Sequence, residues 1–160
     1  MSTALERFLE GARDRGLEPR VRRFPEGTRT AEDAARAIGC DVAQIVKSLV
    51  FVADDHPVLA LASGANRVDT ERLATLCGAA SVRRATPEEA RTATGFAVGG
   101  TPPFGHPSAV RTFVDRDLLS HDEVWAAAGT PDGVFPISPD DLVRLADAAI
   151  ADLAETRPAG

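Results

Sequence analysis

Two apolar segments of this chain, residues 45–53 and 57–63, are separated by only a short polar turn. Each has the length and the valine, leucine and alanine content of a buried strand. The turn, Asp54-Asp55-His56-Pro57, consists of residue types that favour a reversal of the backbone. We therefore predict a β-hairpin. A sheet that contains a hairpin has an antiparallel strand pair, which argues against a doubly wound parallel sheet; because helices and strands are also mixed along the chain, we predict a mixed sheet.

Helical and strand patterns alternate along the rest of the chain. The apolar spacing and the capping residues predict helices over residues 2–15, 30–39, 69–76, 86–95 and 139–153. Further strands are predicted over residues 20–24, 81–84, 110–114, 123–127 and 133–136. A length of 160 residues suits one compact domain, so we predict an α/β (α+β) fold with a single domain over 1–160 and its core at about 20–150.

Composition excludes several classes of protein. No apolar run approaches the ~20 residues that span a bilayer, and the first ten residues lack the order of a secretion signal, so we expect a cytoplasmic protein without a membrane partner. The net charge of -6 is not that of a general nucleic-acid binder. The two cysteines have no CxxC pattern, and His56, His106 and His121 lack metal-ligand spacing. Neither a metal nor a cofactor is predicted, and the GxSxG, P-loop and GxGxxG motifs are absent.

Lys47 is the only lysine in the chain, against 17 arginines. At exposed positions a compositional bias can exchange one of these residues for the other, but a compact ammonium with an adjustable pKa cannot be replaced by a guanidinium. Lys47 lies inside the apolar segment 45–51, which is not a surface-like position. We therefore predict that it is a functional residue, the alternative being a lysine that remains by chance at a strand edge.

A second candidate is the segment GGTPPFGHP at residues 99–107. Glycine lets the backbone come close to a ligand, and proline restricts the shape of the loop in advance. Exposed N–H groups on such a loop can hold an ester carbonyl or a phosphate. A structural turn explains the composition equally well. No side-chain nucleophile accompanies the lysine and the loop, which favours a substrate that is already activated, such as an ester.

Four segments in this order resemble the YbaK/ProX family of aminoacyl-tRNA deacylases, which are related to the editing insertion of bacterial prolyl-tRNA synthetase. They are TAEDAARAIG at residues 30–39, IVKSLVF at 45–51, ASG at 62–64 and GGTPPFGH at 99–106. The resemblance covers roughly residues 20–150. It implies a barrel-like central sheet flanked by helices, and hydrolysis of the ester between a mischarged amino acid and the 3′ end of tRNA, without a metal.

The resemblance also implies the site. Lys47, Gly100 and Thr101 would be catalytic, with the two backbone N–H groups of the loop holding the oxyanion. Substrate would be bound by Thr30, Ser63, Gly64, Gly99, Pro103, Phe104, Gly105 and His106. The partner would be the 3′ end of an aminoacyl-tRNA. Because the chain is acidic, its own contact with tRNA should be weak and salt-sensitive, and a synthetase or elongation factor could assist it.

Two other functions remain open at this point. The chain could be a catalytically inactive module that binds aminoacyl-tRNA or a nucleotide, or a regulator of a partner protein. The amino acid that would be removed is also open among cysteine, alanine, serine and threonine.

Overall fold

The computed structural model describes residues 2–24 and 30–155. Their helices are α1 (Ala4–Asp14), α2 (Ala31–Ile38), α3 (Thr70–Cys77), α4 (Pro87–Thr94) and α5 (Pro139–Ala146). Their strands are β1 (Arg22–Arg23), β2 (Val46–Ala53), β3 (His56–Ser63), β4 (Val82–Arg84), β5 (Arg111–Asp115), β6 (Val124–Ala127), β7 (Gly133–Ile137) and β8 (Ala149–Ala151). Within these ranges, none of the helices has the length and apolar character required to cross a membrane.

The predicted hairpin is confirmed. Strands β2 and β3 pair antiparallel, with Lys47 opposite Ala62. Asp54 and Asp55 in the turn both have positive φ angles, 44° and 72°, as a tight two-residue hairpin turn requires. On its other side β2 pairs antiparallel with β4, whereas β3 pairs parallel with β5, and β5 parallel with β8. The five-stranded sheet, in the order β4-β2-β3-β5-β8, is therefore mixed, as predicted.

A second sheet is antiparallel and has the order β1-β7-β6. It meets the first sheet where Ile45, just before β2, forms a parallel bridge with Trp125 of β6. The described strands do not close into one barrel, so the expected barrel-like sheet is better described as two sheets joined at this bridge. Strands β2 and β6 line a common cavity at this junction.

An aromatic cluster holds α1 against the second sheet. Phe8 of α1 is fully buried, and its ring centroid lies 4.9 Å from that of Phe135 in β7 and 5.7 Å from that of Phe104. Burying a phenylalanine side chain contributes about 1.5–3 kcal/mol, and such tilted ring pairs add to it. Phe104 belongs to residues 99–107, called the Gly-Pro loop from here on, so this cluster also anchors that loop.

Most predicted helix ends are confirmed by their caps. The Thr30 hydroxyl accepts the N–H of Asp33, and Thr86 forms a capping box with Glu89. Gly39 and Gly95 end their helices in the left-handed conformation.

The C-terminal helix is shorter than predicted. It ends at Ala146 instead of residue 153, because Asp147 takes a left-handed conformation with φ 49°. The chain then extends as β8, which pairs in parallel with β5. A helical pattern and a short edge strand of alanine and isoleucine are hard to distinguish by sequence, since pairing with β5 is what makes the segment a strand.

Candidate functional site

A cavity of about 320 Å³ lies where the two sheets meet. This volume is at the lower end of the range for small-ligand sites. Its walls include residues 45–50 at the start of β2, the first turn of α2 with Thr30, the residues around β4 and α4, and strands β6 and β7. Val98, Gly99 and Thr101 are also part of the lining. Most lining side chains are alanine, valine, isoleucine or leucine. The cavity therefore offers mainly apolar contacts with a few polar groups placed among them.

Lys47, the only lysine of the chain, lines this cavity. Its side chain is half-buried, and its Nζ donates a hydrogen bond to the backbone carbonyl of Asn66. Partial burial lowers the pKa of Lys47 because the charged form loses hydration; Glu32 and Asp115 oppose this, whereas Arg67 and Arg84 add to it. The predicted position of this residue, facing a pocket from an apolar strand, agrees with the structure.

Thr30, Gly99 and Thr101 also line the cavity. Thr30 lies at the start of α2, where its hydroxyl accepts the Asp33 N–H at 3.0 Å. Gly99 has a φ of 88°, a conformation that favours glycine. The structure thus brings Lys47, Thr30 and the loop residues Gly99 and Thr101 to one cavity, and their roles in catalysis and binding stay predictions.

The backbone donors of the Gly-Pro loop differ from those expected. The N–H of Gly100 donates to the carbonyl of Ala97 at 3.1 Å, so this group already has an acceptor. The hydroxyl of Thr101 donates to the same carbonyl at 3.1 Å. In contrast, the N–H groups of Gly99 and Thr101 donate to none of the residues that the structure describes. Gly99 and Thr101, rather than Gly100, therefore have backbone N–H groups without an acceptor among the described residues.

Gly100 instead sets the distance between the loop and the segment that precedes β7. A Cβ atom at this position would lie 2.8 Å from the Cα of Thr130 and 2.9 Å from the carbonyl oxygen of Gly129. Only glycine permits this close approach. Pro131, in the same segment, lines the cavity, so this packing shapes one of its walls.

The rest of the predicted loop residues do not line the cavity. Pro103 is buried, and Phe104 is 2% exposed in the aromatic cluster with Phe8. Gly105 packs against α1, where a Cβ at Gly11 would lie 2.9 Å from its Cα. These residues anchor the loop to the core, which is a structural contribution to the site.

His106 also lies away from the cavity. Its Nε2 is 2.8 Å from the carbonyl oxygen of Pro102, and its ring packs edge-on against Phe96. Burial lowers the pKa of His106, which favours the neutral ring. A neutral imidazole that donates from Nε2 to Pro102 closes the Gly-Pro loop on itself.

Ser63 is the last residue of β3 and Gly64 begins the turn that follows; neither residue is in the cavity lining. The Ser63 hydroxyl donates to the carbonyl of Ala43 at 2.8 Å, and the Gly64 N–H donates to that of Ile45 at 2.7 Å. A Cβ at Gly64 would lie only 2.5 Å from the Val42 carbonyl oxygen. These two residues thus fix the turn against the segment that leads into β2.

Sequence reasoning missed several residues of the cavity. Ser48 lines it, and the buried Ser48 Oγ has no hydrogen-bond partner among the described residues. Arg84, Trp125 and Val98 line it as well, and Val98 is 50% exposed, as suits a residue at the mouth. Of these residues, only Ser48 had a signal in the sequence, because it is a polar residue next to Lys47 in an apolar strand.

The lining residues that the structure describes include several hydrogen-bond donors but no histidine, cysteine or carboxylate. Across residues 2–24 and 30–155 there is no group of three or more potential metal ligands among histidine, cysteine and acidic side chains. The arrangement can therefore stabilise negative charge on a bound group through Lys47 and the loop N–H groups.

Comparison with known proteins agrees with this geometry. A sequence model of the aminoacyl-tRNA editing domain matches residues 25–145. A solved structure, described as that of a candidate trans-editing enzyme for prolyl-tRNA synthetase, superposes with a TM-score of 0.91 at 45% identity and covers 98% of this chain and 99% of its own.

Curated relatives show the same similarity. The proline–tRNA ligase of Nitratidesulfovibrio vulgaris strain DP4 is 38% identical over 92 residues, which are 58% of this chain but only 16% of the ligase. The Bacillus subtilis protein YwhH is 29% identical over 76% of this chain and 78% of its own length. The matched region is thus a small part of the ligases and most of YwhH. The chain belongs to the aminoacyl-tRNA editing domain family.

Proposed function

We propose that this chain is a trans-acting aminoacyl-tRNA deacylase, which hydrolyses the ester of a mischarged tRNA. One observation carries the proposal: Lys47, Gly99 and Thr101 line one small cavity in a chain of the editing-domain family. The likeness to a candidate trans-editing enzyme for prolyl-tRNA synthetase supports a tRNA charged by that synthetase as the substrate. Such an activity would be cytoplasmic.

In the proposed reaction, water or the vicinal ribose hydroxyl attacks the ester carbonyl carbon. The carbonyl oxygen becomes an oxyanion, which the free N–H groups of Gly99 and Thr101 are available to hold. One such donor is worth about 3 kcal/mol of barrier height. The bond to the ribose oxygen then breaks, and that oxygen takes up a proton. Attack by water releases the amino acid directly; after attack by the ribose hydroxyl, the ester formed at that hydroxyl must still be hydrolysed by water. Lys47 stabilises the negative charge at the ester or at the terminal adenosine.

The cavity also supports a small amino acid as the group removed. Its volume of about 320 Å³ must hold the side chain and part of the terminal ribose. Alanine and valine dominate the wall, and Ser48 adds one hydroxyl without a partner among the described residues. Such short side chains suit a short aminoacyl group.

A single-turnover assay with a panel of mischarged tRNAs tests the proposal. Lys47→Ala should reduce the deacylation rate constant at least a hundredfold, while its circular dichroism spectrum stays unchanged. Arg91→Ala, which removes an exposed cation from α4, is the matched control and should retain full activity. Turnover by Lys47→Ala at the rate of the unmodified protein would contradict the proposal.

A second candidate is a module of the same fold that binds aminoacyl-tRNA without hydrolysing it, since binding needs only the apolar cavity and the Lys47 cation, which are both present. The same panel distinguishes the two. A non-hydrolysing module would protect the ester at high protein concentration, whereas the deacylase shortens its half-life.

A further inference from the structure

Asp115, at the end of β5, is a buried carboxylate, with 1% of its surface exposed. None of the ion pairs found among the described residues involves it. Its oxygens instead accept three N–H groups: Oδ2 from the Ser63 backbone at 3.0 Å and from the Asn66 side chain at 2.9 Å, and Oδ1 from the Asp117 backbone at 3.0 Å. A buried carboxylate is costly unless such donors compensate it, so this position needs an explanation.

Asn66 connects this carboxylate to Lys47. Its side-chain Nδ2 donates to Asp115 and, at 2.8 Å, to Asp117 Oδ2, so both of its amide hydrogens can be engaged. Its backbone N–H donates to the carbonyl of Ser63 at 3.0 Å, which closes the turn. Its own backbone carbonyl accepts the hydrogen bond from Lys47 Nζ. Asn66 thus bonds to Asp115 through its side chain and to Lys47 through its backbone carbonyl.

The sheet order explains why a carboxylate is placed here. Strand β3 lies between β2, which carries Lys47, and β5, which carries Asp115. The turn after β3 starts at Ser63, and Lys47 pairs with Ala62 just before it. Asp115 accepts a hydrogen bond from each end of this turn, one from the Ser63 N–H and one from the Asn66 side-chain amide. The carbonyl that meets Lys47 is therefore fixed by contacts from the far side of β3.

We propose that Asp115, acting through Asn66, is a positioning residue that sets the place of the Lys47 ammonium at the cavity. The inference rests on the proposed deacylase function for its kinetic consequence, but the placement of Lys47 is a separate physical claim. It assigns a function to two residues outside the cavity lining. Misplacing a catalytic group by about 1 Å can cost roughly a hundredfold in rate, so loss of either residue should act on the chemical step.

Two variants test this in the full chain. Asn66→Ala removes both side-chain bonds and leaves the carbonyl that Lys47 contacts; because Asn66 is only half-buried, the fold should tolerate the change. Asp115→Asn keeps the shape of the side chain but replaces one carboxylate oxygen by an NH₂ group, so at least one of the three N–H groups that bond to Asp115 loses its acceptor. The control is Asp152→Asn, which removes an equal charge from an exposed carboxylate paired with Arg116. If Asp115→Asn fails to fold, Asn66→Ala alone decides.

The first readout does not depend on activity. Because Lys47 is the only lysine, ¹³C-labelled lysine gives one side-chain ¹³Cε signal, which reports the surroundings of this ammonium. We expect this signal to move in Asn66→Ala and Asp115→Asn and to keep its position in Asp152→Asn. An unmoved signal in a folded Asn66→Ala variant would overturn the proposed positioning.

The second readout is single-turnover deacylation at several protein concentrations. Both variants should lower the limiting rate constant at least tenfold and leave the half-saturating concentration nearly unchanged, because Asn66 and Asp115 do not line the cavity. A limiting rate equal to that of the unmodified protein would overturn the proposal even if the signal moved. If the unmodified protein hydrolyses no member of the tRNA panel, the proposed function fails, and the lysine signal still decides whether Asp115 and Asn66 position Lys47.

Discussion

Replacing Gly100 by alanine tests whether the close packing of the Gly-Pro loop shapes the site. The new Cβ would lie 2.8 Å from the Cα of Thr130, where ordinary contact begins at 3.4 Å, so the two segments must separate by about 0.6 Å. The loop cannot yield alone, because Thr101 and Pro102 beside it are buried. Overpacking of this kind costs about 1–3 kcal/mol of folding free energy. Since Thr101 follows directly, its N–H should shift by a similar fraction of an ångström.

We expect Gly100→Ala to lower the single-turnover deacylation rate about tenfold or more, since small displacements at a reacting centre are costly. Urea denaturation measures the accompanying loss of stability. Gly78→Ala is the control: Gly78 has φ 67° and open space around its Cβ position, so alanine there costs about 1–2 kcal/mol without a clash. It caps α3, none of whose residues lines the cavity. If Gly100→Ala kept full activity, or if Gly78→Ala lost as much, the reasoning would be refuted.

Three further predictions concern single side chains. Ser48→Ala should raise the free energy of unfolding by about 1 kcal/mol in urea denaturation, because it removes a buried hydroxyl that has no partner among the described residues; an unchanged or lower value would contradict this. Because the pKa of His106 is lower in the folded chain, the unfolded chain binds more protons once the pH falls below 6.5, the ordinary pKa of histidine. The free energy of unfolding is therefore higher above that pH and decreases as the pH falls. His106→Gln should therefore reduce the difference in unfolding free energy between about pH 5 and about pH 7.5, and an equal difference in both proteins would contradict this. Thr86→Ala removes the side-chain acceptor of a capping box and should cost about 1 kcal/mol in urea denaturation; an unshifted midpoint would contradict the capping role.

Local patterns in the sequence were sufficient for most secondary structure. The hairpin and the caps at Thr30, Gly39 and Gly95 depend on residues close together in the chain, and all were predicted correctly. Strand β8 was not, because Ala149–Ala151 becomes a strand only by pairing with β5. A short segment without a strong pattern takes its conformation from its neighbours in space.

The Gly-Pro loop shows the same division within the candidate site. Its composition marked it as a candidate, and Gly99 and Thr101 do line the cavity. Composition could not show that Gly100 has a satisfied N–H, or that Phe104 and His106 point away from the cavity. Which face of a loop meets a ligand depends on what packs against its other face, here α1 and the aromatic cluster.

By itself, the sequence determined that this chain forms a mixed sheet and that its one lysine lies in a buried strand, since both follow from the order of residues along a short stretch. Only the tertiary structure decided what surrounds that lysine. Ser48, Asn66 and Asp115 become relevant because β2, β3 and β5 lie side by side, and a buried carboxylate can act there through hydrogen bonds that cross a strand. Contacts between segments far apart in the chain carry no local signal, so the geometry of the site became visible only when the strands were assembled.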